Sequence, residues 1–558
     1  MDSFHISTAL PRCGQSAPDD TLYDTFHRPC DKLRIQSCQS SCQNRVGTPP
    51  RSLTYLLTFL GICSRKYGPR TVHGVKILGY NVYFIYKPEN VAQLWKYPTT
   101  ITTPGVSTFV LKTLFGMAPK AYSMYTLDDS GLLPKPRPGS HIAPKNRIDH
   151  LTHASFHKHL LGKGLPILYR NFAAALMCRL PSLAIQDEWK QFPDMMDFWL
   201  PPMTSAMNEA IAGPILECVN PSFTRDLLRY YPYLHGLMKG FPRWCFPEPY
   251  RLREGLIRDV KRWHAIARAC FQESHVDKET GCDPWWGSAF VRERQSILGN
   301  VDNWDYDSLA SSDFGLLWGA SVNIHPMAIW NIIEVFKDKV LLSRLRAELT
   351  AANFQGITTD EDVEKLTAIP LLQSIYSELL RLRIEIQTVF SSDKEDIRIN
   401  EWRLPRNSLV IVPAGAAHKD PTFWNTRNGE YPLDRFWADR FLAYPSDTKS
   451  GPRKTDRTNG AKDGIVATKT AQEDEKPKFV TSGLVNSYMP YGIGERTCPG
   501  RGLARREILT FCALIVDQFD IEILSKEKDF EVTTAFYGTG TQRPRNKIPF
   551  KIRKRKRD

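Results

Sequence analysis

One cysteine stands in a glycine-rich stretch near the end of the chain, and this stretch constrains the fold more than any other. Residues 491–500 read Tyr-Gly-Ile-Gly-Glu-Arg-Thr-Cys-Pro-Gly. Gly492 and Gly494 allow the chain to turn tightly against a flat ligand, and Gly500 frees the backbone just after the sulfur. The pattern predicts that Cys498 binds a metal ion. A buried cysteine in a glycine-rich turn is the alternative.

The residues around this cysteine favour its anionic form. Arg496 adds positive charge beside it, and residues 503–516 have the apolar periodicity of a helix. The sulfur is therefore expected near a helix N-terminus, where the macrodipole also stabilises an anion. Because the thiolate and not the thiol binds iron, these neighbours suit Cys498 to iron ligation.

The motif Tyr491-Gly-x-Gly-x-Arg-x-Cys-x-Gly500 resembles the haem-binding signature of the cytochrome P450 family. Most members carry Phe where this chain has Tyr491. The resemblance implies a mainly α fold with small β-sheets, the cytochrome P450 fold. It also implies haem b as cofactor, with Cys498 as the axial ligand of the iron. The residues implied to surround the haem in this loop are Tyr491, Gly492, Gly494, Arg496 and Gly500.

A second signature lies in residues 371–383, an amphipathic segment that contains Glu378-x-x-Arg381. Residues three apart share a helix face and form ion pairs, so this spacing alone indicates only a surface pair. Arg440 follows in a segment that resembles the family's Pro-Glu-Arg-Phe element. The resemblance implies that the three side chains form a buried network that fixes the fold around the cysteine loop.

Residues 312–337 predict a long helix that is buried on most sides, because they are largely apolar and begin with capping residues. Gly319 and Ala320 are small where a flat macrocycle would approach. Pro326 is expected to weaken the backbone hydrogen bonds just beyond. This helix is predicted to cross the haem, with Gly319 and Ala320 lining the substrate pocket.

Most monooxygenases of the family carry an acid followed by Thr in this helix, and the two relay protons. This chain has Asn323 and Ile324 instead. Ile324 cannot relay a proton and is expected to line the pocket. Asn323 resembles the residue found in a subgroup that includes sterol hydroxylases and prostacyclin synthase, and we predict a catalytic role for it. Ser321 or His325 is a substitute donor through water, with a structural role as the alternative for each.

Two further segments are candidates for contacts with haem or substrate. In the histidine-rich helix at residues 150–160, the resemblance implies that His157 or Lys158 contacts a haem propionate, and a solvated helix face is the alternative. His153 and His157 also have the spacing of a zinc pair. Phe536 and Tyr537 lie in a turn near the end of the chain. Both are candidate substrate contacts, with sheet packing as the alternative.

We expect the chain to divide into a flexible polar tail at residues 1–50 and a single catalytic domain at residues 51–558. A polar stretch at residues 443–478 predicts a disordered insertion. The apolar run at residues 53–63 is about half the roughly 20 residues that a spanning helix requires. An ordinary helix is expected there, with a peripheral membrane contact as the alternative.

Composition restricts the partners and the compartment. The net charge of +14 suggests an acidic partner or an anionic membrane surface. The basic residues 551–557 accompany no nucleic-acid motif, so we predict that the protein does not bind nucleic acid. Twelve cysteines without a Cys-x-x-Cys pair indicate a reducing compartment.

The resemblance covers roughly residues 67–553 and implies a monooxygenase that oxidises an apolar small molecule. A terpenoid, steroid or polyketide of secondary metabolism, as in fungal members, is the expected substrate. Electrons would come from NADPH through NADPH-cytochrome P450 reductase. The expected location is the cytosolic face of the endoplasmic reticulum as a peripheral protein, with soluble cytoplasm as the alternative.

Two rival functions stay open. An oxygen-independent isomerase or dehydratase that acts on a pre-activated substrate is favoured by Ile324, because this residue cannot relay a proton. A non-catalytic haem-binding or ligand-binding protein is the other rival.

Overall fold

In the computed structural model, the described residues are 72–556 apart from 78–79, 98–100, 103, 239, 358, 393, 455–475 and 534–537. The predicted tail at 1–50, the apolar run at 53–63, and Phe536 and Tyr537 lie outside them. The predicted insertion at 443–478 is described only at its two ends. There, the Asp447 N–H donates to the Tyr444 carbonyl and the Ser450 N–H donates to the Asp447 carbonyl, each at 3.0 Å, so residues 444–450 form bonded turns.

The described chain is mainly helical, as predicted. The helices are α1 Pro88–Leu94, α2 Pro104–Thr113, α3 Pro119–Leu127, α4 Ile148–Leu160, α5 Gly164–Arg179, α6 Met195–Ala212, α7 Ile215–Val219, α8 Phe223–Tyr230, α9 Leu234–Met238, α10 Pro247–Cys270, α11 Ala289–Leu298, α12 Tyr306–Ser321, α13 Ile324–Lys337, α14 Lys339–Ala351, α15 Asp360–Ala368, α16 Pro370–Arg383, α17 Ala414–His418 and α18 Arg501–Gln518. None of the described helices is long and apolar enough to cross a membrane.

The strands are short and form small sheets. They are β1 Val72–Ile77, β2 Tyr80–Ile85, β3 Ile101–Thr102, β4 Lys190–Phe192, β5 Ile384–Ser392, β6 Ile397–Ile399, β7 Trp402–Leu404, β8 Leu409–Pro413, β9 Leu442–Ala443, β10 Lys478–Phe479, β11 Phe519–Ile523, β12 Thr539–Thr541 and β13 Phe550–Lys554. The largest sheet has the order β1-β2-β8-β5-β12, and β3 pairs with β5. Only β2 and β8 are parallel in it. The other sheets are β11-β13-β4, β9-β10 and β6-β7.

The predicted central helix is longer than expected and is broken. It begins at Tyr306, where Asp305 caps it by accepting from the Ser308 N–H at 2.9 Å. The break falls at residues 322–323, between α12 and α13. Pro326 lacks the N–H that would bond the carbonyl four residues earlier, so its effect lies before the proline rather than beyond it. The prediction that this segment is buried is confirmed for α13, where every residue from Ile324 to Phe336 is buried.

The first turn of α13 carries a buried histidine between two other helices. His325 Nδ1 lies 3.0 Å from Thr204 Oγ1 of α6, and its Nε2 lies 3.7 Å from Glu507 Oε2 of α18. Burial, followed by the charge of Arg543, lowers the pKa of His325 to about 3. Burial also raises the pKa of Glu507 well above its usual range. His325 is therefore uncharged at neutral pH, and burial favours the uncharged form of Glu507.

We expect His325 to make the folded protein less stable as the pH falls from 7 to 5. The unfolded chain protonates His325 below pH of about 6.5, whereas the folded chain does not until about 3. For this one group the loss in the free energy of unfolding at pH 5 is about 2 kcal/mol. Urea unfolding at both pH values should show a smaller loss for His325→Gln than for the wild type.

Thr204→Val is the control for this prediction. It removes the contact with His325 Nδ1 but keeps the histidine. It should lower stability equally at both pH values. An unchanged pH dependence in His325→Gln would contradict the prediction.

Candidate functional site

Cys498 lies in a tight loop immediately before α18. Its backbone N–H donates to the Tyr491 carbonyl at 2.9 Å, which closes the loop. Gly492 and Gly494 have φ values of +75° and +72°, which strain any other residue. A Cβ atom at Gly494 would also lie 2.6 Å from the Trp95 ring. Both glycines thus permit the turn that the sequence predicted at this place.

The Cys498 thiol is accessible to solvent, although protein packs around it. That burial raises its pKa, while the backbone N–H groups of Gly500 and Arg501 and the charge of Arg501 oppose the rise. These N–H groups belong to the N-terminus of α18, as the helical periodicity predicted. A Cβ atom at Gly500 would lie 3.6 Å from the sulfur. The cation that acts on the thiol is Arg501, which the sequence analysis had not singled out.

Arg496 has a different partner from the one expected. Its Nη2 lies 2.7 Å from Asp149 Oδ2 of α4. The pair holds the cysteine loop against the first turn of that helix. Only an alignment that links the two distant positions would have revealed this partner.

One face of α4 packs near the loop. The rings of His153 and His157 lie 4.2 Å apart, and burial followed by the charge of His157 lowers the pKa of His153. Lys158 instead pairs with Glu293 of α11. Of the two predicted propionate contacts, Lys158 thus has another partner, and the contact of His157 stays a prediction. Within the described residues no group of three His, Cys, Asp or Glu side chains can hold a metal ion, so the zinc spacing has no further ligand.

The structure brings Glu378, Arg381 and Arg440 together, and none of the three side chains is exposed. Arg381 Nε and Nη2 donate to the two carboxylate oxygens of Glu378 at 2.7 and 2.9 Å. Arg440 Nε lies 3.0 Å from both oxygens. Because charge-assisted bidentate bonds are strong and directional, Glu378 fixes both arginines.

Both arginines use their other donors to hold backbone carbonyls. Arg440 Nη1 donates to Asn425, and its Nη2 reaches Pro432 at 3.3 Å. Arg381 Nη1 donates to the carbonyl of His418 at 2.8 Å, and its Nη2 donates to that of Leu433 at 2.9 Å. The network therefore fixes the irregular chain between α17 and β9.

His418 connects this network to the cysteine loop. Its Nε2 accepts a hydrogen bond from the Met489 N–H at 2.9 Å. Burial, with the charge of Arg381 second, lowers the pKa of His418 to about 3, so the imidazole is neutral and Nε2 can accept. Arg381 thus fixes the backbone of His418, and the side chain of His418 in turn bonds the backbone of Met489 in the cysteine loop.

Two tyrosines of the loop bind consecutive residues of α16. The Tyr488 hydroxyl donates to the Ser377 carbonyl at 3.0 Å, and the Tyr491 and Tyr376 hydroxyl oxygens lie 2.5 Å apart. The sequence analysis missed Tyr376 and Tyr488. Tyr376 could have been sought from the sequence, because the hydroxyl that Tyr491 adds relative to Phe requires a hydrogen-bond partner when it is buried.

The central helix presents a small residue to open space. Gly319 is exposed, although most residues of α12 are buried, and a Cβ atom added to it would meet nothing within 4 Å. Ala320 is half-buried beside it, and Ile324 is 8% exposed within the core. Space of this kind is what the predicted pocket requires.

Asn323 joins the break in the central helix to strand β12. Its Oδ1 accepts from the Thr541 N–H at 2.9 Å, and Thr541 Oγ1 donates to the Asn323 carbonyl at 2.8 Å. A Cβ atom at Gly540 would lie 2.0 Å from Asn323 Oδ1, so a glycine is required there. The amide oxygen of Asn323 is thus engaged by the backbone.

The two substitute donors have contacts within the packed protein. Ser321 is buried, and its hydroxyl donates to the Leu317 carbonyl of its own helix at 3.3 Å. His325 contacts α6 and α18, as described above. This placement favours the structural alternative for both residues.

The residues present fit a haem group in two respects. Cys498 offers an accessible sulfur beside two backbone N–H groups, which is the environment that a thiolate ligand needs. Gly319 borders open space on a helix that is otherwise mostly buried. Cys498 would supply the ligand, and Gly319 would leave room for a flat group.

Comparisons with known proteins identify the family of the chain. The sequence model of the family described as Cytochrome P450 matches residues 225–451 and 472–550. The chain is 28% identical to the cytochrome P450 monooxygenase efuG of Hormonema carpetanum, over 89% of this chain and 86% of the relative. It is 32% identical to the cytochrome P450 monooxygenase fsoE of Humicola fuscoatra, over 73% and 71%.

More distant similarity extends to an animal enzyme and to a solved structure. The chain is 23% identical to cholesterol 7-alpha-monooxygenase of Cricetulus griseus, over 57% of this chain and 56% of the relative. The crystal structure of the cytochrome P450DA heme domain superposes with a TM-score of 0.59 at 13% identity. That alignment covers 91% of this chain and 97% of the other, and it supports the predicted fold.

Glu378→Gln should destabilise the protein by about 3–5 kcal/mol, because it leaves two buried arginines without a counter-charge. The free energy of urea unfolding measures this loss. Glu361→Gln is the matched control, since Glu361 pairs with Lys365 on an exposed face of α15. The control should unfold like the wild type. Equal stabilities of the two variants would show that the Glu378 network contributes nothing.

Gly540→Ala should destabilise the protein by about 1–3 kcal/mol, because the new methyl group overlaps the Asn323 amide oxygen. Asn323→Ala removes that oxygen. The double variant should therefore lose less stability than the two single losses added together, as measured by urea unfolding. Simple additivity of the losses would mean that the two positions do not interact.

Proposed function

Because the chain belongs to the cytochrome P450 family, we propose that it is a haem-thiolate monooxygenase in which Cys498 is the axial ligand of the iron. The accessible Cys498 thiol, bonded by the first N–H groups of α18, is the observation that carries this proposal. The naming of the efuG and fsoE relatives as monooxygenases supports the reaction class.

The haem, when bound, supplies the oxidative chemistry at iron. The residues of the protein would hold the haem and set the charge on its sulfur ligand. The N–H groups of Gly500 and Arg501 stabilise negative charge on the Cys498 sulfur. The Glu378 network fixes the loop that carries this sulfur, through His418 and Met489. Arg496 of the loop, which pairs with Asp149 of α4, and His157 of the same helix would interact with the haem propionates.

The substrate is an apolar small molecule of secondary metabolism, of the terpenoid, steroid or polyketide class. Gly319, Ala320 and Ile324 would line its pocket, since Gly319 borders open space and Ile324 offers only an apolar surface. Phe536 and Tyr537 would contribute further contacts. Similarity to a cholesterol 7-alpha-monooxygenase supports a polycyclic lipid among these classes.

NADPH would supply electrons through NADPH-cytochrome P450 reductase. The net charge of +14 supports an acidic protein partner of this kind. A peripheral position at the cytosolic face of the endoplasmic reticulum would bring the two proteins together.

An oxygen-independent isomerase or dehydratase is the second candidate. The observation in its favour is that Asn323 has its amide oxygen bound by Thr541 and is followed by the buried Ile324. Neither residue supplies the acid and the hydroxyl that relay protons in most monooxygenases of the family. Turnover of a peroxide substrate without NADPH consumption would identify this candidate, whereas NADPH-dependent product formation identifies the monooxygenase.

The carbon monoxide difference spectrum of the reduced protein tests the ligand. We expect a strongly red-shifted Soret band in the wild type and its complete loss in Cys498→Ser, because serine provides no thiolate. Cys512→Ser is the control, since Cys512 is buried in α18 away from solvent. Retention of the band in Cys498→Ser would show that another residue binds the iron.

A further inference from the structure

A pair of buried hydroxyl groups lies beside the cysteine loop, and the function proposed so far does not use it. Tyr376 of α16 is 6% exposed, and its hydroxyl oxygen lies 2.5 Å from that of Tyr491. Such a distance is at the short end for hydrogen bonds between hydroxyl groups. Tyr491 replaces the Phe that most members carry, so this bond is not available to them.

Tyr491 is held at both ends. Its hydroxyl bonds Tyr376, and its backbone carbonyl accepts from the N–H of Cys498 at 2.9 Å. A rigid aromatic ring joins the two bonds. The position of Tyr376 on α16 is thereby transmitted to the backbone of Cys498.

Both hydroxyl groups lie within the electric field of the cysteine sulfur. Burial is the main cause that raises the pKa of each tyrosine, and negative charge on Cys498 raises both further. The two hydroxyls are therefore protonated and neutral at physiological pH. One hydroxyl of the pair donates to the other, and the remaining O–H dipole is free to orient in the field of the sulfur with its positive end towards it.

We propose that Tyr376 is a positioning residue that tunes the donor strength of the Cys498 thiolate through Tyr491. The inference rests on the proposed ligation of haem by Cys498. Dipoles that stabilise negative charge on the sulfur reduce its donation to iron, and hydrogen bonds around a thiolate are known to set metal potentials in this way. The pair therefore makes the bound iron easier to reduce than a Phe at position 491 would.

Tyr488 provides a matched control within the same loop. It is a half-buried tyrosine that also bonds α16, through the Ser377 carbonyl. The N–H of Cys498 donates to the Tyr491 carbonyl and not to that of Tyr488. Tyr488→Phe thus removes a loop-to-helix bond without touching the route to the sulfur.

The test is the reduction potential of the ferric haem in the full-length haem-loaded protein. Tyr376→Phe and Tyr491→Phe should each shift the potential to more negative values, because each breaks the same bond. The double variant should shift it no further than Tyr491→Phe alone, and Tyr488→Phe should keep the wild-type potential. The iron–sulfur stretching frequency should rise in Tyr376→Phe, in Tyr491→Phe and in the double variant, because the sulfur then donates more strongly to iron.

Several results would overturn the proposal. A wild-type potential in Tyr491→Phe would do so, as would additive shifts of Tyr376→Phe and Tyr491→Phe or an equal shift in Tyr488→Phe. Tyr491→Phe restores the residue of most members, so it keeps the test open if Tyr376→Phe fails to fold. Absence of the red-shifted carbon monoxide band in the wild type is a separate result, which would overturn the ligation itself.

Discussion

The Glu378 carboxylate, shared by two buried arginines, is the interaction on which the site depends. Burying three charges is costly unless their hydrogen bonds are satisfied, and here both oxygens of Glu378 accept from both guanidinium groups. The remaining donors of the arginines bond backbone carbonyls at the end of α17 and in the irregular segment that follows it. The hydrogen bonds of these two arginines thus hold backbone that helix or sheet bonds do not hold.

Helix α16 is consequently the support of the cysteine loop. Its residues reach the loop by separate routes: Arg381 through His418, Ser377 through Tyr488, and Tyr376 through Tyr491. Each route ends on a different residue of the loop, so the loop cannot shift without breaking several bonds together. A ligand whose geometry must be held closely benefits from this redundancy, because no single fluctuation moves the sulfur.

The fold class and the family were predictable from the sequence, and both are confirmed. The glycines around Cys498 and the spacing of Glu378 and Arg381 carried this information, because both depend on residues adjacent in the chain. The boundaries of the central helix were harder to predict. Asp313 suited an N-cap by type, yet it is buried and accepts from Arg294 Nε at 3.0 Å. Local pattern cannot reveal a partner on another helix.

The same limitation explains the site residues that were missed or placed differently. Arg496 was expected to act on the sulfur, but its partner is Asp149, which lies far away in the sequence. Tyr376 lies in an ordinary amphipathic pattern, and only its distance to Tyr491 distinguishes it. The assignments of pocket residues, including Phe536 and Tyr537 outside the described residues, stay predictions.

The hydrogen bonds between Asn323 and Thr541 of β12 have a consequence for directed evolution of the enzyme. Positions 323 and 540 are distant in sequence, yet the side chain permitted at one depends on the other, because Gly540 leaves the space that the Asn323 amide fills. A library that randomises position 540 alone would therefore return glycine, whatever product is selected. Variation of both positions together opens combinations that neither single library can reach, at the point where the central helix meets the sheet.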